Sequence, residues 1–263
     1  MRAILLRIIG LGIASTVLVG SNCSSGDSGS GGSGSGSVTN ASATGVWSGN
    51  DSMTGLGITA LINSAGQATF IRSDGVQFAG PVQVSGSTLA VQVDGYSNFN
   101  SAFSDGSTYG IGTLDGTVTT GNTLTATLTF TTTGNTSITG NWTLNYEALS
   151  NNSSSTTAIS GNYSDNVMSA TLSITTTGVM SSQSSTTNCV LNGSVSTSDS
   201  THNVYEVAYS YASCTGNYAV LNGVQFTGLA TLNSNAAPTQ LTMAVTGASS
   251  GNKYAIVSSL TGS

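Results

Sequence analysis

The sequence predicts an all-β protein made of two tandem antiparallel eight-stranded up-and-down barrels or sandwiches, related by an internal repeat. Three observations predict this architecture. Apolar and polar residues alternate along many short segments, turn residues separate these segments, and the second half of the chain repeats the order of the first. No window after residue 22 has the spacing of an amphipathic helix.

Alternation is clearest in segment 123–131, where Thr alternates with Leu124, Ala126, Leu128 and Phe130. The same rule holds in segments 89–93, 138–146, 168–175 and 241–245. Such a strand has one face on a core and one face in water, as antiparallel sheets permit. Turn signals such as Asp74-Gly75 separate the runs, so each run is read as one strand.

Short motifs recur in the same order, with an offset near 112 residues until the last strands. Gly45-Val46-Trp47 corresponds to Gly161-Asn162-Tyr163, and Leu114-Asp115-Gly116 corresponds to Phe226-Thr227-Gly228. Order, spacing and strand parity carry this repeat, because identity between the halves is low. Each half therefore predicts about eight strands joined by short turns.

The start of the chain is organised like that of an exported protein. Arg2 and Arg7 precede a short apolar run, and Cys23 is followed by a Gly/Ser-rich stretch. The apolar run is shorter than the roughly 20 residues of a spanning helix. The chain is therefore divided into a signal peptide (1–22), a disordered Cys-led tether (23–43), a first β-domain (44–150) and a second β-domain (156–263).

This order of leader, cysteine and tether resembles that of bacterial lipoproteins. The resemblance implies a lipid on Cys23, which would anchor the protein in the membrane and place it at the outer membrane or cell surface. Gly20-Ser21-Asn22 departs from the family's usual pattern, which has Leu first and a small residue directly before the cysteine. The alternative is an ordinary signal-peptidase cut after Ser21, which would give a free periplasmic or secreted protein.

Gly45-Val46-Trp47 at the start of an eight-stranded meander also resembles the start of lipocalins. The resemblance implies a barrel whose base is closed by the tryptophan and whose interior holds a ligand. The second half has Tyr163 at the corresponding position, and the late Arg and closing helix of lipocalins are not evident. The likeness is therefore one of barrel shape.

The composition excludes one class of partner. Charged residues make up 5% of the chain, and Arg72 and Lys253 are the only cations after the leader. Ten acids accompany these two cations, which gives a formal charge of −8 for the chain without its leader. Such a sequence has no basic patch for nucleic acid, so nucleic-acid binding is excluded.

Cys189 and Cys214 predict a disulfide, because an exported protein folds where disulfides persist. The bridge would close a loop of about 25 residues and contribute roughly 3 kcal/mol to stability. This pairing leaves Cys23 as the odd cysteine, for which a lipid is one explanation. No second ligand cluster accompanies the pair, so neither a metal nor a cofactor is predicted.

Two groups of aromatic residues are candidate ligand contacts. Segment 94–109 interrupts the alternation and contains Tyr96, Phe99, Phe103 and Tyr109. This segment is either a lid whose rings stack on a ligand, or a loop whose rings pack on the domain surface.

The second group, Tyr205, Tyr209 and Tyr211, shares one strand face. That face either lines a cavity or belongs to the core, with hydroxyls reaching water at the rim.

No catalytic residue is predicted. His202 is the only histidine and lies in a polar, turn-like segment, and a catalytic triad needs more than neighbours in sequence. We therefore expect no enzyme. The favoured function is a non-catalytic cell-surface lipoprotein, a structural or adhesive binding module whose surface partner the sequence does not name. The alternative is a lipocalin-like carrier of a small apolar ligand.

Overall fold

The computed structural model describes residues 39–165 and 170–263, which form two closed antiparallel barrels in sequence. The first barrel consists of β1 (Gly45–Asp51), β2 (Gly57–Ile62), β3 (Gln67–Arg72), β4 (Gln77–Ser85), β5 (Thr88–Tyr96), β6 (Tyr109–Thr119), β7 (Thr123–Thr132) and β8 (Ser137–Tyr146). The second consists of β9 (Gly161–Asp165), β10 (Ala170–Ile174), β11 (Val179–Ser184), β12 (Val190–Thr197), β13 (Tyr205–Ala212), β14 (Gln225–Asn233), β15 (Gln240–Ser249) and β16 (Asn252–Gly262). The predicted pair of eight-stranded up-and-down barrels is confirmed.

Each barrel closes by pairing its first strand with its last. Trp47 in β1 lies opposite Ala60 of β2 and Tyr146 of β8. In the second barrel, β9 pairs with β10 on one side and with β16 on the other. Closure removes the unpaired strand edges that would otherwise invite association with other chains.

The repeated motifs fall on corresponding strands of the two barrels. Gly116 on β6 and Gly228 on β14 occupy matching positions, and a Cβ at either would collide with a carbonyl oxygen of the next strand. These oxygens belong to Thr125 and Ala244. The matching glycines therefore let neighbouring backbones approach closely at the same place in each barrel.

A short helical linker joins the barrels. A 3₁₀ turn (Ala148–Asn151) follows β8, and helix α1 (Thr156–Ile159) precedes β9. Ser155 caps α1 by accepting a hydrogen bond from the backbone N–H of Ala158 at 3.0 Å, as N-cap serines do. The linker therefore ends in one defined turn beside the second barrel.

Aromatic rings fill the interior of the first barrel. Phe70 and Phe78 both pack against Trp142, with ring centroids 5.5 and 5.6 Å apart. Phe78 also meets Phe130 edge to face at 5.3 Å. All four side chains are at most 2% exposed. Such contacts add to the hydrophobic gain of burying these large rings.

The first strand of each barrel is hydrogen-bonded to the segment before it in the same way. The Trp47 indole N–H donates to the carbonyl of Ala43 at 2.8 Å, and the Tyr163 hydroxyl donates to the carbonyl of Ile159 at 2.8 Å. In both cases the acceptor lies four residues earlier in the chain. Tyr163 therefore replaces Trp47 at the matching position, and the polar atom of each side chain has a backbone carbonyl as its partner.

The barrels pack side by side through apolar residues on their outer faces. This interface cluster contains Val46, Leu61 and Ile71 from the first barrel, and Val204, Leu229 and Ala244 from the second. Strict alternation fails where it forms, since three consecutive residues are buried at 60–62 and at 243–245. Both faces of these strand segments are therefore packed.

The predicted disulfide between Cys189 and Cys214 is present. It joins the segment entering β12 to the segment leaving β13, and both cysteines are buried. The bridge therefore ties the shared end of two neighbouring strands.

Replacing both cysteines by serine should lower the free energy of unfolding by about 3 kcal/mol, because the unfolded chain regains the entropy of the closed loop. Urea denaturation of the wild type with and without a phosphine reductant measures this. The double variant is the control and should not respond to reductant. A wild type that is equally stable in both conditions would contradict the structural role of the bridge.

Candidate functional site

One loop, residues 97–108 between β5 and β6, covers an end of both barrels. Phe103 is 7% exposed and packs on Phe130 inside the first barrel, with ring centroids 5.5 Å apart. Phe99 packs instead on Tyr218 and Tyr254 of the second barrel, at 5.4 and 6.4 Å. The loop therefore places its two phenylalanines on different cores.

Backbone hydrogen bonds hold this loop on the second barrel. The N–H of Phe99 donates to the carbonyl of Ala255 at 2.9 Å, and the N–H of Val257 donates to the Asn98 side chain at 3.4 Å. Beside these contacts is a surface hollow of about 330 Å³, lined in part by Phe99, Lys253 and Tyr254. Of the predicted loop aromatics, Phe99 is the one that lines it.

Tyr96 and Tyr109 flank the loop and lie together, with ring centroids 5.4 Å apart. The Tyr109 hydroxyl donates to Asp94, and the Lys253 ammonium lies 4.9 Å from the centre of the Tyr109 ring. Burial, with the nearby Asp94 carboxylate, raises the pKa of Tyr96 to about 12. Burial and the hydrogen bond to Asp94 also raise the pKa of Tyr109.

The second predicted group, Tyr205, Tyr209 and Tyr211, points into the second barrel. All three side chains are at most 6% exposed. Tyr209 stacks on Phe226 at 5.5 Å, and Tyr211 meets Tyr209 edge to face at 5.3 Å. The hollow beside Tyr209 and Tyr211 measures about 30 Å³, far below the roughly 300 Å³ of a small-molecule site.

The predicted anchor, Cys23, lies outside the described residues, as do the leader and most of the tether. Within the described end of the tether, the N–H of Ala41 donates to the carbonyl of Gly86 at 2.7 Å, and the N–H of Ser42 donates to Thr120 at 2.8 Å. Packing of the first barrel therefore includes residues before its first strand.

The side chain of His202 contacts residues of its own turn. His202 Nδ1 lies 3.0 Å from the Asp199 carboxylate and 3.0 Å from the Thr201 hydroxyl. Burial alone would raise the pKa of Asp199, but hydrogen bonds from Thr201 and His202 lower it to about 2. This carboxylate is therefore ionised near neutral pH and accepts hydrogen bonds that hold the turn.

A groove of about 480 Å³ runs between the barrels, and the sequence did not point to it. One wall is the outer face of β3 and β4, and the other is formed mainly by β12, β13 and β14. Gln67 and Glu206 line opposite walls, and buried Asn63 hydrogen-bonds to both. Glu206 lies 143 positions after Asn63 in the chain, so no local sequence motif predicts their contact.

Comparison with known protein families found no match, and comparison with curated proteins found none either. Among the residues that the structure describes, no helix is both long and apolar enough to cross a membrane. Function must therefore be argued from the geometry of the two barrels and of the groove between them.

Stability should fall as pH rises from about 10 towards 12. Unfolded tyrosines ionise near pH 10, whereas burial raises the pKa of Tyr96, Tyr109, Tyr163 and Tyr205 in the folded protein. The stabilisation is complete below pH 10 and is lost through the folded pKa values.

Urea midpoints measured from pH 8 to 12 check this, and Tyr96→Phe should lose less stability across the window than the wild type. Thr125→Val, which changes no ionisable group, should keep the wild-type pH dependence. Identical curves for the wild type and Tyr96→Phe would contradict the assigned role of Tyr96.

Proposed function

We propose that this protein is a non-catalytic module, displayed at the cell surface, which acts through the outer faces of its barrels. The observation that carries this proposal is that large, buried rings pack against one another inside both barrels. The largest rings in them, among them Trp47, Trp142, Tyr205 and Phe226, are at most 2% exposed. A core packed in this way holds a structure together and leaves recognition to the surface.

Two further observations support export. The Cys189–Cys214 disulfide belongs to an oxidising compartment, such as the periplasm or the cell exterior. The leader and Cys23 precede a Gly/Ser-rich tether, which behaves as a flexible coil and would let the barrels stand off a membrane. We infer that Cys23 carries the lipid that anchors the protein, with release after Ser21 as the alternative.

The carrier alternative requires space for an apolar ligand. Ligand pockets commonly measure 300 Å³ or more, about ten times the hollow beside Tyr209 and Tyr211. A ligand would therefore have to displace interlocked rings from the second core. This cost favours the module over the carrier.

The wild type should show no saturable binding of a small apolar probe, because the buried rings of both described cores pack against one another. Tyr209→Ala should open a cavity, at a cost of about 3–5 kcal/mol in stability, and should gain binding of benzene or xenon. Urea denaturation measures the loss of stability, and calorimetric titration with benzene measures the binding. Tyr209→Phe keeps the ring and serves as the control.

The proposal is overturned if the wild type and Tyr209→Phe bind a fluorescent apolar probe with a clear stoichiometry. Such a result would make ligand carriage the working function, since binding would then use the native core.

Lipidation is tested by growing a bacterial host with radiolabelled palmitate and partitioning the protein into detergent. The wild type should carry label and enter the detergent phase, because two or more acyl chains give stable membrane binding. Cys23→Ser should lose both properties. Cys189→Ser/Cys214→Ser, which retains Cys23, should keep the label, and loss of label there would argue against Cys23 as the acceptor.

A further inference from the structure

The groove between the barrels lies between two outer faces, beside the apolar interface. Its first wall contains Gln67, Ala79 and Pro81, and its second wall contains Glu206 and Thr227. The volume of about 480 Å³ lies within the range of small-molecule sites. Neither barrel alone could form it, because each supplies one wall.

A buried asparagine fixes the polar groups of the two walls. Asn63 is 1% exposed, and its Oδ1 accepts a hydrogen bond from the backbone N–H of Gln67 at 2.8 Å. Its Nδ2 donates to Gln67 Oε1 at 2.8 Å and to Glu206 Oε1 at 2.9 Å. Asn63 is thus held by the backbone and orients one side chain on each wall.

The hydrogen bonds of Asn63 determine which polar atoms of Gln67 and Glu206 can still bond to a ligand. A carboxylate only accepts hydrogen bonds, so Asn63 must present its amide hydrogens to Glu206. Gln67 uses its oxygen on Asn63, and its Nε2 amide therefore remains as a donor. Glu206 retains its second oxygen as an acceptor. A donor and an acceptor, oriented by one buried residue, thus come from opposite walls.

The remaining lining combines hydroxyls with small apolar surfaces. Ser194, Ser196 and Thr227 are exposed on the second wall, and each can donate or accept. Ala79, Pro81 and Ala208 offer low apolar surfaces between them. The groove therefore suits a ligand with many hydroxyls and with C–H faces.

Charge narrows the class of ligand further. The groove lining contains the Glu206 carboxylate and no cation. In the described part of the chain, Arg72 pairs with Asp74 at 2.8 Å and Lys253 lies over Tyr109. A phosphorylated or acidic polymer would meet Glu206 without a compensating positive charge.

We propose that the groove between the barrels binds a segment of an uncharged glycan. Sugar hydroxyls donate to Glu206 and accept from Gln67, while the C–H faces of the rings pack on the small apolar surfaces. This inference rests on the proposed function as a surface module and specifies its ligand class.

The test uses the purified chain from residue 38 onward with its disulfide intact, and records backbone amide shifts by NMR during titration. The neutral probes are maltohexaose, cellohexaose, mannohexaose and N-acetylchitohexaose, and the charged probes are hexagalacturonate and hexalysine. At least one neutral probe should cause saturable shifts of groove amides, such as those of Ala79 and Thr227. Hexagalacturonate should cause none.

Three variants locate the site. Thr227→Trp should abolish binding, because Thr227 is exposed on the wall and a large ring would fill the groove. Glu206→Gln should bind about tenfold more weakly, because an amide donor replaces a charged acceptor. Glu147→Gln is its matched control, since Glu147 bonds to Ser48 outside the groove lining and loses the same charge.

Three outcomes would overturn the inference: no saturable shift with any neutral probe, binding of hexalysine alone, or shifts that survive Thr227→Trp. The second outcome would mean that Glu206 binds a cation. None of these outcomes changes the result of the apolar-probe experiment on the barrel interiors, which tests the proposed function separately.

Discussion

Closure of each sheet on itself is the constraint on which the rest of this structure depends. Once β8 pairs with β1, the inward side chains share a space whose size is set by eight strands, and they must fill it. Large rings such as Phe78 and Trp142 fill the first barrel, and Tyr209 and Phe226 fill the second. Glycines such as Gly116 permit the close strand approach that this packing needs.

Because the inward side chains are buried, the outer faces form the surface that other molecules can reach. Few charged residues are available for these faces, so apolar side chains and hydroxyl groups make most of their contacts. Leu61 and Leu229 join the barrels through an apolar patch, and Ser194 and Thr227 border it with polar groups. The groove lies where these two kinds of surface meet, since Leu229 of the apolar cluster is also part of its lining.

The features that the sequence predicted correctly are those set by residues close together in the chain. Alternation over 123–131 predicts the strand and its buried face, and the repeated motifs predict the strand count. The expected export of the chain and its cysteine count predict the Cys189–Cys214 bridge. The interface was harder to read, because alternation tells which face is buried but not by which partner. The run Ala60-Leu61-Ile62 did carry a signal, since an apolar residue on the outer face needs a cover. The Asn63–Glu206 contact joins residues 143 positions apart, and only the docked barrels bring them together.

The differences between the two halves lie where the barrels meet or end. Both halves have a long connection at the same place, 97–108 in the first and 213–224 in the second, and the first carries Phe99 onto Tyr218 of the second. Only the second has the disulfide, which fixes the segment before Tyr218, the residue that Phe99 contacts. The halves are therefore not interchangeable, because Phe99 and Asn63 of the first contact residues of the second. A surface that needs Asn63 from one barrel and Glu206 from the other gives a physical reason for a tandem pair, since a single barrel would present only half of it.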